Sequence, residues 1–312
     1  MYLICSSDWH LRTDNPVARS GYIAAQETKL YWMWDYADTL DGEVVILQAG
    51  DICDSSRSWA LLPYVYDLLI TSPVKIFTVF GQHDLHMYSD KLKYQTVLGI
   101  LGMSGVVKVL DNKPLSVNPF TEENVDLYGC SIGQNVPEVI DKDALNVLVI
   151  HRMIVDKKLW SSQENCIYAP DFLKTYKDFD LVVCGDAHRK YIFKDFESSR
   201  YILNTGVLVR GKAEEYMFAH KPGFYLYDTV KRKANWVEIP HDPAYEVLDK
   251  SHLFDGEKET EDFNKLVEGL KELWEQRKDA SAVSPLVVLN RLLEEKKIKK
   301  PIKEILARIT GE

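Results

Sequence analysis

Five short apolar runs in this 312-residue chain each end in a side chain able to hold a metal ion. Residues 2–5 run into Ser6-Ser7-Asp8-Trp9-His10. Residues 44–47 lead to Gly50-Asp51, and 74–80 to Gly81-Gln82-His83-Asp84. Residues 145–150 end at His151, and 181–184 at Gly185-Asp186-Ala187-His188. Apolar runs this short are strands buried on both faces. The stretch 22–40, with Tyr22, Ile23, Leu30, Trp34 and Ala37, has helical spacing, as does about 58–70. Strands alternating with helices predict an α/β sheet with helical cover. Sites in such sheets assemble at the carboxyl edge of the strands, so segments far apart in sequence can converge on one pocket.

Each segment brings particular chemistry. Asp8 and His10 are two residues apart, and an extended backbone would send both to the same side. The glycine before Asp51 permits a sharp turn. Gln82, His83 and Asp84 offer an amide oxygen, an imidazole and a carboxylate after one strand. Taken singly, each also has an ordinary reading: a helix cap for Asp8 or Asp51, a core histidine for His151. Asp54 and Asp84 can orient a ligand or cap a helix, and His86 can extend the pocket or lie on the surface. Trp9 can stack on a base or pack the wall. Arg12, Arg19, Arg189 and Arg210 can contact phosphate or form ordinary salt bridges. Cys53 and Cys184 read as small buried fillers.

Composition removes other classes. No apolar run approaches the roughly 18 residues of a membrane span. The first residues lack the basic start and cleavage site of a signal peptide. Five scattered cysteines with no C-x-x-C pair argue against a disulfide framework or zinc ribbon. A cytoplasmic protein with no membrane partner is expected. The net charge of −9 argues against a positively coated nucleic-acid binder. It leaves open a site whose positive charge comes from bound metal.

Residues 201–204, 224–227, 235–239 and 244–248 read as short antiparallel strands. From about 251 the pattern becomes helical: Phe263, Leu266, Val267, Leu270, Leu273 and Trp274 share one face. Ser284-Pro285 opens a second stripe and Pro301 a third. The expected division is a domain over 1–250 and a helical region over 251–312.

The order D-x-H, G-D, G-Q-H-D, H, G-D-x-H resembles the calcineurin-like metallophosphoesterase superfamily, whose pattern is D-x-H, G-D, G-N-H-D/E, H, G-H-x-H. Within it, GDICD, GQHDLH, PDFLKTYK (170–177) and LNTGVLVR (203–210) look closest to SbcD-type DNA repair and recombination nucleases. The resemblance implies a four-layer α/β sandwich of mixed central sheets flanked by helices, with a helical C-terminal appendage. It implies two divalent ions, manganese first and magnesium as the alternative, that activate a water for in-line attack on phosphorus. Asp8, His10, Asp51 and His188 would hold the first ion. Asp51 would bridge to the second, completed by Gln82, His151 and Asp186. His83, with Asp84 beside it, would be catalytic, acting at the leaving group. The implied partners are DNA, an SbcC-like SMC-type ATPase docked on the C-terminal helices, and a second copy through helices in the first 110 residues. The alternatives are a phosphoesterase for small phosphodiesters and a catalytically weak scaffold. Two residues depart from the pattern: Gln82 replaces asparagine and Asp186 replaces histidine. Both fall on the second ion: Gln82 keeps a carbonyl ligand, and Asp186 puts a charged oxygen where the pattern has a neutral nitrogen, so a site retuned toward manganese or magnesium is expected, a weakened second site being the rival.

Overall fold

The apolar runs become the strands of two six-stranded sheets in the computed structural model, which describes residues 1–117, 124–158 and 166–252. The first sheet has the spatial order β14 (Lys233–Glu238), β13 (Gly223–Asp228), β1 (Tyr2–Ser6), β2 (Val44–Gln48), β3 (Lys75–Thr78) and β4 (Lys108–Val109). Strands β1 to β4 are parallel, and β13 and β14 extend the sheet antiparallel. The second has the order β11 (Tyr191–Asp195), β12 (Arg200–Asn204), β10 (Leu181–Gly185), β7 (Leu145–His151), β6 (Val125–Cys130) and β5 (Leu115–Val117). Its inner four strands are parallel and its two edges antiparallel. A small parallel pair, β8 (Ile154–Val155) and β9 (Ile167–Tyr168), stands apart.

Alternation along each strand builds the layers. Leu3, Cys5, Val45, Leu47 and Phe77 of the first sheet pack with Leu127, Val147, Val149, Val183 and Leu203 of the second. Ile4, Ile46 and Ile76 turn the other way, onto α1 (Tyr22–Asp38), α2 (Leu61–Leu69) and α3 (Val97–Met103). Leu148, Ile150, Val182 and Ile202 pack with Phe172 and Leu173 of α4 (Ala169–Thr175). The result is helix, sheet, sheet, helix, the sandwich expected from the sequence. Both faces of the central strands are covered, each large apolar side chain contributing about 1.5–3 kcal/mol. That is why these strands read as unbroken apolar runs. Two short helices, α5 (Glu215–Ala219) and α6 (Ala244–Val247), close a satellite cluster around Val207, Met217 and Leu248.

Two strand expectations are corrected. Residues 244–247 form α6 instead of a strand, and Leu248 after it is extended, bridging antiparallel to Arg19. Strand β12 is antiparallel only to β11 and runs parallel to β10. No helix among the described residues is long and apolar enough to cross a membrane. The helices expected beyond 252 lie outside the described residues.

Candidate metal centre

Parallel strands deliver the motif residues to one edge. Strands β1, β2 and β3 release Asp8, Asp51 and Gln82-His83, while β7 and β10 bring His151, Asp186 and His188. Backbone pairing continues past the strand ends. The Asp8 amide donates to the Gly50 carbonyl at 3.1 Å, and the His10 amide to the Asp51 carbonyl at 3.0 Å. Asp8, His10, Asp51 and Asp186 have φ of 49°, 46°, 55° and 77°. Asp8 and His10 therefore converge through left-handed turns on either side of Trp9, and not through the extended backbone expected from the sequence. A left-handed L-residue costs about 1–2 kcal/mol, and here the flanking hydrogen bonds hold it in place.

Two glycines make room for the side chains. A Cβ on Gly50 would lie 2.4 Å from His151 Nδ1, and one on Gly81 would lie 2.1 Å from Asp51 Oδ1. Asp84 is fully buried. Its Oδ2 accepts the amides of Asp51 and Gly81 at 2.8 and 3.0 Å, and its Oδ1 accepts that of Cys53 at 3.0 Å. The geometry makes Asp84 a positioning residue that clamps the ligand loops. Placed as catalytic beside His83 from the sequence, its carboxylate is buried and taken up by these backbone amides.

The donor atoms form two groups that share Asp51. In the first, His188 Nε2 lies 3.6 Å from Asp8 Oδ1. His10 Nε2 lies 4.0 Å from Asp8 Oδ1 and 3.9 Å from Asp51 Oδ2. In the second, His151 Nε2 lies 3.5 Å from Asp51 Oδ2 and 2.7 Å from Gln82 Oε1. Three triads bring one donor atom of each residue within 4.8 Å of the others: Asp8–His10–His188, His10–Asp51–His83 and Asp8–Asp51–His151. Asp186 is in none of them. Its Oδ1 accepts from Gln82 Nε2 at 2.9 Å and its amide donates to Asp8 Oδ1 at 3.1 Å, so here it orients the Gln82 amide.

These groups fit divalent cations. The buried Asp8 Oδ2 and Asp51 Oδ2 have no hydrogen-bond partner. His151 Nδ1 donates to the Ala49 carbonyl at 2.7 Å, which turns Nε2 toward the Gln82 oxygen. The Nε2 atoms of His10 and His188 lie 3.3 Å apart. Burial pushes Asp8 up to about 8; His151 opposes the rise and Asp51 adds to it. Burial likewise pushes Asp51 up to about 8, with Asp186 and Asp54 adding to the rise and the His83 amide opposing it. Burial and then Lys212 lower His188 to about 4, and burial with the surrounding imidazoles lowers His10. Neutral imidazoles and carboxylates short of positive charge are what a bound cation would satisfy. The mixture of carboxylate, imidazole and amide oxygen is a donor set for divalent cations.

His83 is exposed. Its amide donates to Asp51 Oδ1 at 2.8 Å, and its Nδ1 donates to the Asp54 carbonyl at 3.1 Å. The Asp54 carboxylate lies 3.8 Å from His10 Nδ1. Trp9 is fully buried, its Nε1 donating to Ser6 Oγ and its ring tilted against Trp34, so it packs the wall. Cys53 and Cys184 are buried fillers. His86 is half-buried and joins no triad. Arg12 is tied to Asp14 and Asp54, while Arg19 and Arg210 are buried. Beside Asp186 and His188 opens a cavity of about 770 Å³, whose walls include Arg189, Lys212, Glu214 and Tyr216. The sequence reading passed over the last three. Their signal was the charged segment KAEEY, one glycine after LNTGVLVR.

The profile of the calcineurin-like phosphoesterases matches residues 1–190, the span that carries every ligand segment. The chain belongs to the calcineurin-like phosphoesterase family. As a metallophosphoesterase it is a metal-dependent hydrolase, and the triads are its candidate ligand clusters. No curated protein matches it significantly. Among solved structures, TT1561 of Thermus thermophilus is 12% identical, with a TM-score of 0.48 over 77% of this chain and 99% of that one. A 5'-nucleotidase precursor from the same organism is 12% identical, with a TM-score of 0.45 over 80% of this phosphoesterase and 56% of the nucleotidase. The calcineurin-like phosphoesterase YfkN from Bacillus subtilis is 9% identical, with a TM-score of 0.42 over 80% and 91%.

Proposed function

We propose that this metallophosphoesterase hydrolyses phosphodiester bonds of DNA, as the nuclease subunit of a complex with an SMC-type ATPase that docks on residues 251–312. The observation that carries the hydrolytic part is the Asp51 carboxylate. It is shared by two donor groups, with Oδ2 buried, unpartnered and within 4 Å of both His10 and His151. The choice of DNA and of the ATPase rests on the motif segments GDICD, GQHDLH and LNTGVLVR and on the helical pattern beyond 251.

Asp8, His10, His188 and Asp51 would hold one ion. Asp51, Gln82 and His151 would hold the other, with Asp186 fixing the Gln82 amide. Divalent ions at such a site neutralise charge on an attacked phosphate and make water a nucleophile at neutral pH. Manganese is the first choice and magnesium the second. The protein supplies the rest. The Nδ1 hydrogen bond to the Asp54 carbonyl fixes the ring of the exposed His83, and as an imidazolium that ring can give its Nε2 proton to the departing sugar oxygen. Asp84 keeps the loop that carries Asp51 in place.

The test incubates wild type and His83→Ala with labelled single- and double-stranded DNA and with bis-p-nitrophenyl phosphate, in manganese, magnesium or chelator. Metal-dependent DNA cleavage that falls about 10²–10⁴-fold in the variant is the expected result. Ester hydrolysis without DNA cleavage would move the substrate to small phosphodiesters. No turnover with any metal would leave a scaffold.

A further inference from the structure

Arg189 directly follows His188 and lines the same cavity as His188 and Asp186. Its guanidinium carbon lies 4.6 Å from the centroid of the half-buried Tyr216 ring. Among the described residues Arg189 makes no ion pair. The other arginines singled out by the sequence, Arg12, Arg19 and Arg210, do not line this cavity. Arg12 is paired with two carboxylates, and Arg210 donates to the Asp242 carbonyl. Lys212, across the cavity, has Glu214 at 4.0 Å. A guanidinium stacked on an aromatic face keeps its edge free, and that edge matches a phosphate with two parallel hydrogen bonds.

The phosphate under attack must meet the donor groups around Asp51. A cation one residue beyond His188 faces a neighbouring part of the substrate. A cavity of about 770 Å³ has room for far more than one phosphate. Exposed Glu214 and Glu215 also line it and repel negative charge from their side. The Arg189 edge is thus the favoured place for a further anionic group.

We propose that Arg189, held by Tyr216, binds a second, uncleaved phosphate of the substrate and selects molecules with two or more phosphates over single-phosphate esters. The proposal rests on reading the site as a phosphodiesterase. It does not require DNA.

Calorimetry tests it with thymidine 3',5'-bisphosphate and thymidine 5'-monophosphate, in manganese and in chelator. Wild type should bind the bisphosphate about tenfold or more tighter. That preference should persist in chelator, because Arg189 and not a metal reads the second phosphate. Arg189→Ala should abolish the preference and Arg189→Lys should keep part of it. Tyr216→Phe should keep it, and Tyr216→Ala should weaken it. Equal affinities in wild type overturn the proposal, as does a preference that survives in Arg189→Ala. The wild-type comparison stands even if a variant fails to fold. A kinetic readout is the ratio of kcat/KM for p-nitrophenyl thymidine 5'-phosphate with and without a 3'-phosphate, which should fall toward one in Arg189→Ala. An Arg189-dependent preference without DNA cleavage sinks the nuclease reading alone. DNA cleavage without the preference sinks this proposal alone.

Discussion

The Asp84 carboxylate holds the backbone of Asp51, its Oδ2 accepting the Asp51 amide at 2.8 Å while also accepting that of Gly81. An asparagine at 84 keeps one acceptor oxygen and turns an NH₂ group toward backbone donors. Asp84→Asn should lower stability by about 1–3 kcal/mol and manganese affinity by about 10–100-fold. Thermal unfolding and calorimetry measure the two. Unchanged metal affinity would show that the clamp does not set the ligand geometry.

Gly81 has no room for a methyl group, since its Cβ would meet Asp51 Oδ1 at 2.1 Å and the Asp51 amide at 2.5 Å. Gly81→Ala should displace Asp51 and remove metal binding from both donor groups, because they share that residue. Gly133→Ala is the comparison: a Cβ there meets nothing within 4 Å, though its φ of +79° carries the left-handed penalty. It should cost about 1–2 kcal/mol and leave metal uptake intact. Equal metal uptake by both variants would refute the steric argument.

Gln82 and Asp186, the two departures from the family pattern, touch each other at 2.9 Å. They should act as a unit. In a double-mutant cycle of Gln82→Ala and Asp186→Ala, read as manganese affinity, the losses should fall short of additivity by about 0.5–3 kcal/mol. Metal content at saturation also checks the retuned-site expectation: two ions per chain support it, and one ion sinks it.

Lys29 of α1 is only 4% exposed, beside buried Arg19 and Arg210. Burial first, then both guanidinia, lower its ammonium to about 8, with Asp242 opposing. The folded value lies below the ordinary one, so between pH 8 and 10.5 the unfolded chain binds more protons and stability rises with pH. Lys29→Met removes the buried charge. It should stabilise the protein at pH 7, by up to about 3 kcal/mol, and flatten the rise. Urea unfolding from pH 7 to 10 measures both. A destabilised variant at pH 7 would mean that the charge is compensated.

The five ligand-bearing strand ends were legible because strands buried on both faces leave an unbroken apolar signature that stops where the pocket begins. Convergence of Asp8 with His10 was legible too, but for the wrong geometric reason: left-handed φ at an aspartate or histidine has no marker in composition. The role of Asp84 was hidden because its partners are backbone amides, which every sequence has. Residues 244–248 defeated the reading because five residues fit both a period of two and a period of nearly four. Trp9 was ambiguous until Trp34 covered its ring. The cavity wall at Lys212–Tyr216 was passed over, since only the fold brings it beside His188.

Asp51 follows a strand of one sheet and His151 ends a strand of the other, with 3.5 Å between their donor atoms. A cation gripped by both is a rivet through the seam of the sandwich. Sliding one sheet over the other would pull its donors apart, so loading the site resists that shear as well as equipping it for hydrolysis. Metal then adds to the cohesion of the two halves in proportion to its binding free energy. Stripping it should loosen the seam at this edge before the helical layers feel the loss.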